Sequence, residues 1–192
     1  MKLLLASGSP YRKNLLQRLR LDFQQDAPDI DETPSPGESA KALALRLSRN
    51  KAKALCDAYP DTLIIASDQA ASLDHQILGK PGTEEKAIEQ LLACSGKTVI
   101  FHTGLCLLNT RTGQQQLDCI DFSVTFRSLS EPQITRYIQL ERPLDCAGSF
   151  KCEGLGIALF ERMHGEDPNS LIGLPLIRLT SMLGNEGVDI LS

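Results

Sequence analysis

The sequence predicts one compact α/β domain spanning residues 1–192, because strand and helix patterns alternate without a long linker, an internal repeat or a low-complexity segment. The apolar run Leu63–Ala66 is short, rich in branched aliphatic residues and preceded by a turn signal at 59–61, so it indicates a buried strand. We expect this strand to end at Asp68 and to deliver its carboxylate to a sheet edge, where α/β enzymes place their chemistry. Asp68 is therefore the first candidate catalytic residue, and the alternative is an aspartate that caps the next turn.

The N-terminal part is predicted to contain a strand and two helices separated by an acidic loop. Met1–Ala6 is predicted to form the first strand, since its apolar part of about four residues is too short for a signal peptide. Ser9 is the expected cap of a helix over Pro10–Leu19, and a loop rich in acid and proline follows over Asp26–Gly37. Glu38–Tyr59 is the longest helical pattern, and its Lys and Arg side chains are expected to form a solvated face.

The C-terminal part continues the alternation and adds a hairpin. The predicted elements are, in order, a helix over Thr83–Cys94, strands over Thr98–Leu108 and Asp118–Arg127 joined around Thr110–Gly113, a helix from Ser130 to about Leu140, a strand ending near Met163, and two helical pieces separated by Gly173 and Pro175.

Composition and charge restrict the classes of ligand. The formal net charge of −4 provides no general basic field for nucleic acid, so a polyanionic ligand must be met by a local cluster. No apolar run approaches the roughly 18 residues of a membrane span, so neither a membrane nor a nucleic acid is an expected partner. The cysteines form no CxxC pair or zinc spacing, which predicts reduced thiols in a cytoplasmic protein; they are Cys56, Cys94, Cys106, Cys119, Cys146 and Cys152.

A phosphate site is predicted at the start of the first helix. Ser7-Gly8-Ser9-Pro10-Tyr11-Arg12 follows a strand and opens a helix, so hydroxyl groups and free backbone N–H groups would converge beside the guanidinium of Arg12. The alternative is that the serines only cap the helix.

Three further segments carry candidate ligands. Asp29-Ile30-Asp31-Glu32 offers carboxylates that suit a hard divalent cation, and the alternative is a solvated acidic turn. Gly79-Lys80-Pro81 presents a lysine between a flexible and a rigid residue, and the alternative is a β-turn without function. Lys51, taken alone, fits a solvated helix position better than a functional one.

Taken together, these residues resemble, in type and order, the motif series of the Maf family of nucleotide pyrophosphatases. The blocks that carry the resemblance extend almost from one end of the chain to the other; they are Leu5–Arg12, Asp31–Pro34, Arg46-Leu47 with Lys51-Ala52, Ser67-Asp68-Gln69, Gly79-Lys80-Pro81, Thr103-Gly104, Ala147–Phe150 and Asp167–Pro175.

The resemblance implies a three-layer α/β/α fold with a mixed twisted sheet, similar to inosine triphosphate pyrophosphatases, with a cleft between two lobes and frequently a homodimer. It implies a housecleaning activity, in which water attacks the α-phosphorus of a nucleoside triphosphate and releases the monophosphate and pyrophosphate. Asp68 would accept the proton, and Glu32 with Asp68 would hold a divalent cation, Mg²⁺ or Mn²⁺. The phosphates would be bound by Ser7, Ser9, Arg12, Lys51 and Lys80.

Substrate choice within the family turns on positions that match Tyr11, Gln69 and Glu153, where this chain resembles the 7-methyl-GTP pyrophosphatase branch rather than the uracil/thymine branch. Tyr11 can stack on a methylated guanine, whose ring carries positive charge. Glu153 only accepts hydrogen bonds, which suits the N1–H and amine of guanine. The branch more often has tryptophan at Tyr11, and Ala70 replaces a larger residue, so we expect weaker stacking without a change of class. The alternatives are a helix-surface tyrosine and a solvated loop acid.

Other functions remain open at this point. One is a dTTP or UTP pyrophosphatase of the same family, and another is a nucleotide-binding regulator of cell division with little turnover. Retention of Asp68, Glu32 and both lysines argues against the regulator. A nucleic-acid-binding protein is disfavoured by the acidic balance and the absence of tryptophan. The three histidines, His75, His102 and His164, are too scattered along the chain to assign.

Overall fold

The computed structural model describes residues 1–192 and contains an open, mixed sheet of seven strands. The strands are β1 (Lys2–Ala6), β2 (Gln24–Asp26), β3 (Thr62–Leu73), β4 (Gln76–Leu78), β5 (Thr98–Asn109), β6 (Gln115–Phe126) and β7 (Phe160–Gly165). Their order across the sheet is β2-β1-β3-β5-β6-β7, with β4 paired to the far end of β3. β1 is parallel to both of its neighbours, and every other pairing is antiparallel.

Six α-helices accompany the strands, and the last two follow β7. They are α1 (Pro10–Gln17), α2 (Ala40–Ala54), α3 (Glu84–Cys94), α4 (Glu131–Glu141), α5 (Pro168–Ile172) and α6 (Leu176–Asn185). Hydroxyl groups of Ser9, Ser39 and Thr83 accept hydrogen bonds from the first turns of α1, α2 and α3, which satisfies backbone donors that a helix start leaves free. No helix combines the length and the apolar character that a membrane crossing requires.

The helices cover both faces of the sheet. On one face, α2 packs Ala52 against a cluster that contains Ile64 of β3 and Cys106 of β5. On the other face, α1 and α6 pack on a cluster that contains Leu5 and Ile65, and α3 and α4 cover the far end of that face. Alternating side chains of the same strands therefore pack into separate cores on the two faces of the sheet, as the period of two along a strand requires. This arrangement confirms the predicted three-layer α/β/α fold with a mixed sheet.

The strand that carries Asp68 differs from the expectation. β3 continues to Leu73, so Asp68 lies within the strand, and the prediction that it ends the strand is wrong. β1 pairs with β3 only as far as Ile65, however, and β4 pairs with it only from Ala71. Between these two points β3 is hydrogen-bonded on one side only, to β5. Asp68 therefore still lies at an open sheet edge, because β1 is much shorter than β3.

Most other elements match the predicted ones to within a few residues. The exceptions are β2 and β4, whose three residues each are too few to display a strand period. The longest helix is shorter than the predicted Glu38–Tyr59, because Ser39 caps its start and a tight turn follows Ala54. Lys51, expected on a solvated face, is buried with 7% of its surface exposed. That expectation is wrong because Lys51 lies on the side of α2 that faces the sheet.

A close approach between α2 and β5 depends on Gly104. A Cβ at this position would overlap the backbone carbonyl of Ala44 and would lie 2.8 Å from Oγ of Ser48. Backbone atoms of a helix cannot yield as a flexible side chain can, so the distance between α2 and the sheet requires a residue without a side chain here.

We expect Gly104→Ala to lower the free energy of unfolding by about 1–3 kcal/mol, because an overpacked helix-to-sheet contact must move apart. Urea denaturation measures the change. Gly184→Ala is the matched control: a Cβ at Gly184 of α6 meets no atom within 4 Å, and alanine is the better helix former by up to about 1 kcal/mol. Equal unfolding free energies for Gly104→Ala and the unmodified chain would contradict the packing argument.

Candidate active site

A cavity of about 440 Å³ opens beside the part of β3 that lacks a second neighbour. Residues from both faces of the sheet reach it, because no strand closes this edge. The cavity is lined by every site residue that the family resemblance implied: Ser7, Ser9, Tyr11, Arg12, Glu32, Lys51, Asp68, Gln69, Lys80 and Glu153. Segments far apart in the chain therefore meet at one place.

The start of α1 forms one wall of the cavity. Oγ of Ser9 accepts the backbone N–H of Arg12 at 3.4 Å, which confirms Ser9 as the helix cap. Oγ of Ser7 accepts the backbone N–H of Ser9 at 3.2 Å, so Ser7 organises the turn itself. The positive end of the α1 dipole therefore borders the cavity at Gly8 and Ser9. Binding of phosphate by the two serines stays a prediction.

Arg12 is held in a fixed direction. Its Nε donates to the carbonyl oxygen of Gly173 at 2.9 Å, and its Nη1 lies 3.4 Å from Oγ of Ser7. The same Gly173 carbonyl accepts from Oγ of Ser67 at 2.8 Å, which ties the turn after α5 to β3. Nη2 forms no hydrogen bond within the protein. One edge of the guanidinium is thus anchored, while the remaining donors can address an anion.

Lys51, Asp68 and Glu32 form a compact ionic triple. Nζ of Lys51 lies 2.5 Å from Oδ1 of Asp68 and 2.6 Å from Oε1 of Glu32. The Lys51 and Asp68 side chains are about nine-tenths buried, whereas half of the Glu32 side chain is exposed. Oδ2 of Asp68 forms no hydrogen bond with another protein group. Two carboxylates therefore converge on a single positive charge, and one carboxylate oxygen remains available inside the cavity.

Nearby charges shift the titration of the groups around this triple. Burial raises the pKa of Glu32, but the hydrogen bond and charge of Lys51, with the charges of Lys80 and Arg12, outweigh it and lower that pKa overall. Burial lowers the pKa of Arg12, while the negative charges of Asp68 and Glu32 oppose the change. Glu32 is consequently ionised at neutral pH.

The remaining charged candidates divide into two groups. Lys80 is exposed at the rim of the cavity and forms no ion pair within 4 Å, so its ammonium group is accessible. Asp29 and Asp31 do not line the cavity, and Oδ1 of Asp31 accepts the backbone N–H of Thr33 at 2.9 Å. The solvated-turn interpretation therefore fits Asp29 and Asp31, and Glu32 is the one carboxylate of this segment that lines the cavity.

The charged groups that act on Tyr11 include Asp145 and Glu153 and none of the ionic triple, so we describe them as a second end of the cavity, which combines an aromatic ring with carboxylates. Tyr11 lines it together with Asp145 and Glu153, and neither acid forms an ion pair. Burial raises the pKa of Tyr11; Lys151 opposes this shift, whereas Cys146, Glu153 and Asp145 add to it. These charges therefore lie near enough to the phenol ring to affect it. This end of the cavity suits a flat ring that carries positive charge.

Gln69 has its amide nitrogen committed to the protein. Nε2 donates to the carbonyl oxygens of Ser170 at 2.8 Å and Leu171 at 3.0 Å, and it lies 3.1 Å from Oγ1 of Thr103. The side chain thus fastens α5 to the middle of β3. Only its carbonyl oxygen is free for a ligand, so Gln69 can offer an acceptor but not a donor.

Further residues line the cavity that were not predicted as site residues. Phe101 and Phe150 line the cavity with their rings edge to face at 5.1 Å, and Asp145 and Cys146 line it as well. Phe150 lies within a block that carried the family resemblance, so a signal for it existed. Asp145 follows no pattern in the sequence that distinguishes it from other loop acids.

A separate group of potential metal ligands lies outside this cavity. His102, Cys119 and Asp121 place one ligand atom each within 4.8 Å of one another. The histidines were interpreted as too scattered along the chain to assign, and no metal site was predicted here. The predicted hairpin contained the signal, however, since residues equidistant from the turn at 110–113 lie opposite each other, as His102 and Asp121 do.

Comparison with known proteins supports the resemblance inferred from the motifs. The family model for Maf-like proteins matches residues 2–186. A 7-methyl-GTP pyrophosphatase of Alcanivorax borkumensis is 58% identical over 188 residues, covering 98% of this chain and 95% of that protein. Proteins of the same name from Pseudomonas aeruginosa and Vibrio cholerae are 58% and 54% identical, each covering at least 98% of both chains.

A solved structure extends the comparison to the fold. The Staphylococcus aureus Ham1 protein superimposes with a TM-score of 0.54 at 16% sequence identity, covering 97% of this chain and 100% of that one. At this identity the similarity concerns the fold alone. With a family model that spans nearly the whole sequence and relatives that share more than half of its residues, the chain belongs to the Maf family.

Proposed function

We propose that the chain is a nucleoside triphosphate pyrophosphatase that hydrolyses 7-methyl-GTP to 7-methyl-GMP and pyrophosphate. The observation that carries the proposal is that one cavity brings Asp68 together with three cationic side chains at one end and with Tyr11 and two carboxylates at the other. The names of the relatives with more than half of their residues identical agree with this assignment.

Asp68 is the proposed acceptor of the proton of the attacking water. Its Oδ1 is fixed by Lys51, so its Oδ2 points its free lone pairs into the cavity, where a water that approaches the α-phosphorus can lie. The buried pair restrains the carboxylate in one orientation, which reduces the entropic cost of aligning water and phosphorus.

The cations are the proposed phosphate ligands. Arg12 keeps Nη2 free and can bind two phosphate oxygens as a fork, and the exposed Lys80 can follow the phosphates as a point charge. When a substrate arrives, Lys51 would exchange its half-exposed partner Glu32 for the phosphates and keep its buried contact with Asp68, because a polyanion competes for its charge. The dipole of α1 and the Ser7 and Ser9 hydroxyl groups add donors on the same wall.

Glu32 and Asp68 fit a hard divalent cation, Mg²⁺ or Mn²⁺. Both carboxylates already converge on the ammonium of Lys51, which shows that their oxygens can surround one positive charge. Arg12, Lys51 and Lys80 face two carboxylates, so this end of the cavity carries one net positive charge, too little for a triphosphate. A bound cation would supply the missing neutralisation and polarise phosphoryl oxygens.

The base-binding end supports the choice of 7-methyl-GTP. A 7-methylated guanine carries positive charge on its ring, which favours the face of Tyr11 and the neighbouring carboxylates of Asp145 and Glu153. Glu153 can accept the N1–H and the amine of the guanine edge, while Gln69 offers only its carbonyl oxygen, since its amide nitrogen binds α5.

The cellular setting is also proposed. The six cysteines form no disulfide, which fits the reducing cytoplasm. A homodimer, the absence of a nucleic-acid partner and a housecleaning role stay predictions of the resemblance and of the charge balance.

The direct test measures pyrophosphate release from 7-methyl-GTP, GTP, UTP and dTTP, with and without Mg²⁺ or Mn²⁺. We expect metal-dependent turnover that is highest in kcat/KM for 7-methyl-GTP. A preference for UTP or dTTP would agree with a nucleotide pyrophosphatase and would contradict the proposed preference for 7-methyl-GTP. Absence of turnover with every nucleotide and metal would favour a nucleotide-binding regulator.

We expect Asp68→Asn to lower kcat by about 10²–10⁴-fold, the usual contribution of a general base, while nucleotide binding remains largely intact. The control is Asp57→Asn, because Asp57 is exposed and lies outside the cavity. Turnover and equilibrium binding are measured separately, with circular dichroism to confirm the fold. Near-normal kcat for Asp68→Asn would exclude Asp68 as the proton acceptor.

The two carboxylates at the base end are expected to act differently. Glu153→Gln should lower kcat/KM for both GTP and 7-methyl-GTP by about tenfold, since a charge-assisted hydrogen bond is worth about 1.5–3 kcal/mol. Asp145→Asn should lower kcat/KM for 7-methyl-GTP more than for GTP. It removes a negative charge near the positively charged ring, but no hydrogen bond to the guanine edge, which Glu153 is proposed to bind. Glu161→Gln, an exposed position outside the cavity, is the control. Unchanged substrate profiles would contradict both roles.

A further inference from the structure

The strongest feature outside the active site is the cluster of His102, Cys119 and Asp121. His102 of β5 lies directly opposite Asp121 of β6, and Cys119 lies two residues earlier on the same face of β6. Nδ1 of His102 is 2.8 Å from Oδ1 of Asp121, and Sγ of Cys119 is 3.8 Å from the same oxygen. An imidazole nitrogen, a thiol sulfur and a carboxylate oxygen therefore face one point.

We propose that these three side chains bind a divalent transition metal of the zinc class, with water as the fourth ligand. Metal–nitrogen and metal–oxygen distances of about 2.0 Å and a metal–sulfur distance of about 2.3 Å place tetrahedral ligand atoms about 3.3–3.6 Å apart. The nitrogen–oxygen distance of 2.8 Å and the sulfur–oxygen distance of 3.8 Å lie on either side of this range. All three ligand atoms lie within 4.8 Å of one another, so they must draw closer together around a bound metal.

The second nitrogen of the imidazole is already oriented. Nε2 of His102 lies 3.1 Å from Oγ of Ser72 on β3. When Nδ1 binds the metal, the ring proton resides on Nε2 and is donated to the Ser72 hydroxyl group. This arrangement is the outer contact that normally fixes the tautomer and direction of a metal-bound histidine.

Lys41 competes for the carboxylate without blocking it. Its Nζ lies 3.1 Å from Oδ2 of Asp121, whereas Oδ1 faces His102 and Cys119. Both partners of this pair are nearly half exposed, so the lysine can swing into solvent at little cost.

The cluster can be reached from solvent. β7 pairs with β6 only from Phe122 onward, so the part of β6 that carries Cys119 and Asp121 has a free edge. A second cavity, about 610 Å³ in volume, opens at this edge and is lined by both residues. A cation can therefore enter without unfolding any element.

The chemistry separates this site from the active site. None of the three residues lines the cavity that contains Asp68. Glu32 and Asp68 offer only oxygen atoms, which Mg²⁺ prefers, whereas nitrogen and sulfur ligands favour zinc, cobalt and their neighbours. On binding, the Cys119 S–H bond breaks, its proton passes to solvent and the thiolate forms the bond to the metal.

The test is titration of the metal-free, full-length protein with Co²⁺, whose bond to a thiolate produces a charge-transfer absorption in the near ultraviolet. We expect one equivalent of Co²⁺ to produce this band, excess Mg²⁺ to leave it unchanged and Zn²⁺ to displace it. Cys119→Ser should abolish the band and His102→Gln should weaken binding, while the control variants Cys56→Ser and His75→Gln behave as the unmodified protein. The His102 variant keeps the test decisive where the Cys119 variant fails to fold.

Two further variants distinguish a metal site that neighbouring residues support from three side chains that only happen to lie close together. Ser72→Ala should weaken Co²⁺ binding by about 10- to 100-fold, as loss of an outer contact to a metal-bound histidine does. Lys41→Gln should strengthen binding, because it removes a competing cation from Asp121. A band that survives in Cys119→Ser, or the absence of any thiolate band, would overturn the proposal. Pyrophosphate release by Cys119→Ser is measured alongside, so failure of the metal site is separable from failure of the proposed enzymatic function.

Discussion

The active-site cavity depends on a mismatch in strand length. β3 extends over twelve residues and β1 over five, so β1 leaves β3 unpaired on one side after Ile65. An edge of this kind in the middle of a sheet would normally invite another strand. Here the edge is occupied by side chains from the turn after β1, from α2 and from the 145–153 segment, and these line the cavity. The same mismatch lets Asp68 and Gln69, which point to opposite faces, line one cavity.

Within that opening, the charges of Lys51, Asp68 and Glu32 are paired with one another rather than solvated separately. A buried lysine that holds two carboxylates is costly to assemble, and removing one partner of a buried pair typically costs about 3–5 kcal/mol. Such a triple contributes little to stability, so its retention needs another reason. The proposed function supplies one, because a polyanionic substrate and a cation can exchange partners with the triple without leaving any charge unpaired.

Much of this architecture could be predicted from the sequence because it is encoded locally. Caps at Ser9 and Thr83 and the hairpin turn around Thr110–Gly113 leave signals within a few residues. The ends of β3 and the burial of Lys51 could not, since both depend on which strands pair and on which face α2 presents. Asp68, Arg12 and Glu32 were candidates from their local patterns, and Gln69 and Glu153 were named only through the resemblance to a family. Asp145 carried neither signal and was identified only where distant segments meet. The fold and the Maf resemblance are confirmed, and the roles of the site residues stay predictions.

Helix α2 contributes one lysine to the active-site cavity and another beside the proposed metal site. Lys51 near its end pairs with Asp68 of β3, and Lys41 near its start pairs with Asp121 of β6. The two lysines lie about 15 Å apart along the helix axis, so an ion pair holds the helix to the sheet near each end. Gly104 allows its middle to approach the sheet closely. The two ion pairs differ in strength, because the Lys51 pair is buried and the Lys41 pair is about half exposed. Release of Lys41 to make room for a metal therefore leaves α2 in place, since Gly104 and the buried pair continue to fix it against the sheet.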